Sequence, residues 1–242
     1  MQVSFGSGSL FAIPTGANPT PVQFGVLQDV AFDFNFAMKE LRGQWQFPVA
    51  LARGSGKITW KAKFAKLNGA ALNSLFFNGS NATGLELAAI AESGTVATAA
   101  ITVVNAANFQ TDMGVVNGNT GVQYVRVASG PVAGVSYTVT GGGVYGFNAT
   151  DNGVPMLISY SYTAAAGGNK TTVTNQLMGN QTTFSMIFNE KFNGNTWQLR
   201  FPMAVMNKLG MATKLEDFTL AEADGECYAD AGGNVVYQSM VE

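Results

Sequence analysis

The sequence contains no histidine and one cysteine, Cys227. Without histidine there is no Ser-His-Asp triad, no Cys-His pair and no imidazole to move protons near neutral pH. A lone thiol closes no intrachain disulfide, and without histidine it builds no structural zinc site or iron–sulfur cluster. Charge is scarce as well: Asp, Glu, Lys and Arg make up 12% of the chain, against roughly 25% in an ordinary soluble domain. Thirteen basic and 15 acidic residues leave a net charge of −2, the wrong sign for a general nucleic-acid binder. The start, Met1-Gln2-Val3-Ser4-Phe5-Gly6, lacks the basic and apolar stretches of a secretory leader. No run approaches the roughly 18 apolar residues of a membrane helix. The expectation is a chain made and folded in a cytoplasm, with no membrane partner.

What is present points to β structure. The 242 residues are 47% hydrophobic and 11% aromatic, with 29 glycines. Val30, Phe32, Phe34 and Phe36 alternate with Ala31, Asp33, Asn35 and Ala37, which puts three phenylalanines on one face of a strand. Ile58, Trp60, Ala62 and Phe64 alternate with Lys57, Thr59, Lys61 and Lys63 in a second strand with a basic outer face. Between them, Met38–Gly56 reads as a long apolar hairpin bearing Leu41, Trp45, Phe47 and Val49. Asn68 is placed to cap a short helix, Gly69–Phe77, ended by Asn78-Gly79.

The composition shifts at 93–169. This stretch holds only Asp112, Arg126 and Asp151 as charges, and short strand-like runs alternate with glycine-rich turns. It reads as an inserted β subdomain. Residues 1–92 and 170–242 then form one discontinuous β-sandwich core. Later strands are expected at Thr171–Leu177, Thr183–Phe192 and Trp197–Met206, the last two joined by Asn193-Gly194-Asn195. Seven basic residues and one acidic fall in 39–66, whereas 215–242 holds seven acidic residues and no basic one.

Motifs that suggest chemistry do not hold. Arg53-Gly54-Ser55-Gly56-Lys57-Ile58 resembles a phosphate loop, but Leu51 replaces the first glycine and Ile58 the magnesium-binding hydroxyl. The acids from Glu222 to Asp230 miss calcium-loop spacing and read as carboxylates around a β turn. Carboxylates are few, and no two are marked as facing partners across a cleft. No catalytic residue, metal ligand or cofactor is expected.

Several blocks resemble a known family. They are Phe24–Val30 with the Phe-alternating strand, Glu40-Leu41-Arg42-Gly43 through Phe47-Pro48-Val49, and Gly56–Lys63. Leu67–Asn73, Asn175–Gly179, Lys214–Phe218 and Ala231–Val235 follow, with Gly114-Val115 and Val144–Phe147 in the inserted segment. Their order and spacing resemble the tail tube (major tail) proteins of long-tailed bacteriophages. The resemblance implies an all-β fold with one short helix: a tail-tube-type β-sandwich or barrel with the inserted small β-sandwich on the tube exterior. It implies a virion structural protein, not an enzyme. Six copies would form rings that stack into a hollow tube, with the tape-measure, tail terminator and baseplate proteins as partners. DNA would pass through during ejection without specific binding.

On that basis the hairpin residues Leu41, Trp45, Phe47 and Val49 would join stacked rings. Lys57, Lys61 and Lys63 would face Glu216, Asp217, Glu222 and Asp224 between neighbouring subunits. The alternative for the charges is two solvated faces of one subunit. Two other functions fit the composition: a decoration, neck or baseplate protein of the same virion, and a carbohydrate-binding adhesin stacking sugars on Trp45, Trp60 or Trp197. Against the adhesin, Trp60 and Trp197 occupy alternating strand positions and read as core.

Overall fold

The computed structural model describes residues 6–66, 68–213 and 215–241. Leu67 and Lys214 of the resemblance blocks and Glu242 of the acidic tail lie outside the described residues. The chain is all-β with one short helix, and it divides into two compact units. The first comprises 1–81 and 171–242, and the second 82–170.

The first unit is built on one sheet. Its strands are β1 (Ser9–Pro14), β2 (Val22–Gln23), β3 (Gly25–Leu41) and β4 (Ala50–Lys66), and later β12 (Thr183–Phe192), β13 (Asn195–Ala212), β14 (Leu220–Tyr228) and β15 (Tyr237–Met240). The order is β2-β1-β12-β13-β14-β4-β3, with β15 also on β13. Four strand spacings separate β12 from β3, roughly 19 Å in a flat sheet. Yet the Phe32 ring of β3 lies 5.4 Å from Phe188 of β12 and 5.1 Å from Phe201 of β13. The sheet therefore curls until its two ends share one core. Trp60, Phe184, Met186, Phe201 and Leu10 are fully buried inside it.

Small residues on β14 permit the curl. Ala221, Ala223, Gly225 and Cys227 face inward, while Glu222, Asp224 and Glu226 alternate outward. A Cβ at Gly225 would overlap the Val205 carbonyl oxygen and the Trp60 indole. Trp60 lies directly opposite Gly225 in register, and its Nε1 donates to the Val205 carbonyl at 3.3 Å. Of the acids read as lying around a turn, Glu222, Asp224 and Glu226 thus lie in a strand, and Asp230 begins the turn after it. The strand carboxylates alternate with residues too small to announce a hydrophobic face.

The helix packs Leu72 and Leu75 against this core. Asn68 Oδ1 accepts from the Ala70 and Ala71 amides. Regular α1 (Gly69–Leu72) widens into a π turn at Asn73–Phe77, and Asn78 ends it in the left-handed conformation. Asn73 then ties down the exit, exchanging two 2.8 Å hydrogen bonds with the Gly79 backbone.

The second unit contains most of β5 (Ser80–Thr95), then β6 (Ala100–Thr102), β7 (Phe109–Asn117), β8 (Gln123–Arg126), β9 (Ser136–Val139), β10 (Val144–Gly146) and most of β11 (Pro155–Thr172). Their order is β5-β11-β7-β8-β9-β10-β6. Only β8 and β9 are parallel among the registered pairs of this sheet. The unit opens at Ala82 rather than Ser93, because β5 belongs to its sheet although the composition shifts only later. β11 runs through Gly167 and Gly168 to Thr172, so the strand expected at Thr171–Leu177 ends there. Both glycines have positive φ, a conformation open to glycine, and the unit ends just beyond them at Lys170.

Two predictions follow from this packing. Gly225→Ala overpacks the Trp60 contact and is expected to cost about 1–3 kcal/mol. A melting point lowered by several degrees, with retained β circular dichroism, is the expected readout. The second concerns the junction, where Thr171 Oγ1 donates to Asn81 Oδ1 at 2.9 Å. With its ends side by side, 82–170 should be replaceable by a short Gly/Ser linker. The shortened chain is expected to keep a cooperative melt, and loss of folded structure would refute the division.

Candidate assembly surface

β14 pairs β4 only from Ile58 to Phe64. Beyond Ile58, β4 has β3 alone as neighbour, with register running from Phe34↔Ile58 to Leu41↔Ala50. Eight residue steps carry this ribbon roughly 26 Å past the sheet. The Val49 amide donates to the Leu41 carbonyl at 2.8 Å and closes its tip. Every residue of β3 from Asp33 onward is exposed, so neither face of the ribbon has a layer over it. Phe36, Met38, Leu41, Val49 and Leu51 are all exposed, and at the tip Trp45 is 72% and Phe47 80% exposed.

An isolated two-stranded hairpin is at best marginal in water. Contiguous exposed apolar surface of this kind is rare on soluble monomers and commonly marks interaction sites. The ribbon holds itself partly through the guanidinium of Arg53, 4.8 Å above the Phe36 ring, and through Arg42 Nη2 on Glu40 at 2.6 Å. Further apolar side chains stand free in two connecting segments: Leu177 and Met178 before β12, and Leu215 and Phe218 before β14. The outer edge of β3 pairs no strand among the described residues.

The charged faces meet within one chain. Lys63 Nζ lies 3.0 Å from Glu222, and Lys57 Nζ 2.8 Å from Glu226. Lys61 stands opposite Asp224 in register, and Asp224 pairs with Lys208 at 3.9 Å. For Lys57, Lys63 and Glu222 the partner surface expected on a neighbouring subunit is therefore the adjacent strand of the same subunit. Glu216 and Asp217 lie in the exposed segment before β14, where Asp217 Oδ1 accepts from the Phe218 amide at 2.8 Å. The hydrogen bond and charge of Glu222 raise the Lys63 pKa above the lysine norm, Asp29 adds to this, and desolvation opposes it. The pair's contribution is whole below the ordinary lysine pKa and is lost as pH rises through the folded value. Both side chains are solvent-exposed, so the pair adds little to stability.

Sequence reading missed the acids that hydrogen-bond tyrosines in the second unit. The Asp112 carboxylate accepts from the Tyr137 hydroxyl at 2.7 Å, the Tyr145 hydroxyl at 3.0 Å and the Gly114 amide at 3.0 Å. Arg126 lies 3.7 Å away. Glu92 accepts from the Tyr160 hydroxyl at 2.6 Å and the Val104 amide at 2.8 Å. Burial first, and the hydrogen bond to Asp112 second, push Tyr137 and Tyr145 far above the ordinary tyrosine pKa. These hydroxyls are committed donors. Each carboxylate lets aromatic residues enter a core without an unsatisfied O–H. Spacing carried no signal for this, since Asp112 lies 25 and 33 residues from its tyrosines. Burial also pushes the Cys227 thiol up to about 12, which leaves it inert as a nucleophile at neutral pH.

Two outcomes are expected of this network. Asp112→Ala strands two buried hydroxyls, at about 1–3 kcal/mol for each, and should lower the melting point at pH 7. Because the folded tyrosine pKa values are raised, the proton-linked stability holds below the unfolded value, about 10, and is lost as pH rises above it. Tyrosinate absorbance in the intact chain should therefore show Tyr137 and Tyr145 ionising only together with alkaline unfolding.

Among the described residues, no helix is long and apolar enough to cross a membrane, and no group of three or more acidic or cysteine side chains is placed to hold a metal ion. A scan against protein-family models finds no match to this chain, and no curated protein matches it either.

Proposed function

We propose that this chain is a structural subunit that assembles with copies of itself into stacked rings, in the manner of a phage tail tube. The observation that carries this reading is the β3–β4 ribbon, exposed on both faces and tipped by Trp45 and Phe47. Burying one large apolar side chain contributes about 1.5–3 kcal/mol. A ring repeats that contribution at every subunit, and a stack repeats it at every ring. The long open edge of β3 supports the same reading. Such an edge invites uncontrolled pairing in a monomer, and a closed ring turns it into a defined joint.

The sequence blocks that resemble tail tube proteins span both strands of this ribbon. In that role the chain works by shape and burial, as a conduit for DNA and not as an enzyme. The intramolecular pairing of Lys57 and Lys63 suits a channel wall, because unpaired lysines would hold phosphate and slow its passage.

Negative-stain microscopy of the purified full chain tests the reading, with long hollow tubes as the expected result. The double substitution Trp45→Ser, Phe47→Ser is expected to give folded subunits or single rings and no long tubes. Tubes of unchanged length would remove the ribbon from stacking. A chain that stays monomeric at high concentration would overturn the assembly reading itself.

A further inference from the structure

The core-facing row of β12 reads Phe184, Met186, Phe188, Glu190. The last position breaks an apolar series with a carboxylate, and Glu190 is only 6% exposed. Among the described residues, no hydrogen bond or ion pair reaches that carboxylate. Its cross-strand partner is Trp197, whose indole N–H is buried and makes no hydrogen bond either. The donor facing it across the ladder therefore does not satisfy it.

Glu190 lines a cavity of about 570 Å³ with Phe32, Phe34, Phe188 and Trp197, and a second carboxylate, Asp29, lines it too. The volume falls within the range of small-ligand sites, about 300–1,000 Å³. The Glu190 oxygens are not shut off from solvent, so the carboxylate opens onto the cavity, and a cation seated there would complement its charge. Aromatic walls favour a cation too, through the negative faces of the rings. A guanidinium suits this combination better than an ammonium. It is planar, weakly hydrated, stacks on rings and offers a carboxylate two parallel N–H donors.

We infer that this cavity is a binding site for a guanidinium group carried on a short apolar stem, with Glu190 as its counter-ion. Two sources share that chemistry: an arginine side chain of a second copy of this chain, and a free alkylguanidinium. The site stands or falls without the assembly reading, since a free ligand probes it in the absence of any tube.

The test uses the full chain and n-butylguanidinium, with n-butanol as the uncharged control. Calorimetry is expected to show saturable binding of the guanidinium and none of the alcohol. Glu190→Gln, nearly the same shape, is expected to weaken binding at least tenfold. Sedimentation with and without the ligand separates the sources. If a second copy supplies the cation, n-butylguanidinium shifts oligomers toward smaller species and Glu190→Gln weakens self-association at least tenfold. If the ligand is free, self-association is unchanged while calorimetric binding is still lost in the variant. Should Glu190→Gln fail to fold, the indole N–H resonance of Trp197 in the unaltered chain is the readout. It should shift saturably with the guanidinium and not with the alcohol. No saturable binding to the unaltered chain, or equal binding by a folded Glu190→Gln, overturns the inference.

Discussion

The contact of Phe32 with Phe188 and Phe201 organises the first unit. It joins an end strand of the sheet to strands several places away, and it forms only if the sheet curls. The curl in turn requires β14, lying between, to present almost no side-chain bulk inward. Gly225 under the Trp60 indole is the tightest point of that requirement. An aromatic core and a strand of small residues are therefore two halves of one packing solution.

The same closure decides what is left outside. β3 contributes Leu27 and the partly buried Val30 and Phe32 to the core before its partner strand loses contact with β14. From there the phenylalanine alternation continues onto a ribbon with no sheet beside it. Phe34 still leans on Phe201 at 6.3 Å, whereas Phe36 lies exposed over Gly56 under the Arg53 guanidinium. One continuous pattern thus serves as core at one end and as exposed surface at the other.

Scarce charge is used differently in the two units. In the first it forms an outward ladder of lysines and carboxylates across β4 and β14, solvated and weak pair by pair. In the second, Asp151 is buried and the Asp112 side chain nearly so, and Asp112 joins Glu92 in satisfying tyrosine hydroxyls inside an aromatic core. Glu190 follows neither pattern. It sits in a core row beside a cavity, with no hydrogen bond or ion pair among the described residues.

By itself the sequence determined the all-β class, the capped helix at Asn68, the phenylalanine strand and the apolar hairpin. Each rests on local signals: period-two alternation, a cap residue, and turn chemistry. Tertiary structure decided the rest. The start of the second unit at Ala82 depends on which sheet β5 joins, and no local composition encodes that. The acidic stretch from Glu222 to Glu226 became a strand because its inward positions need small residues under Trp60, and Ala and Gly give no hydrophobic alternation. The charged blocks paired within the chain because β14 and β4 are neighbours, a fact of long-range register. Asp112 met Tyr137 and Tyr145, and Glu190 met Trp197, by the same means. Local pattern sets which face of a strand is apolar, and only the closed sheet sets what that face meets.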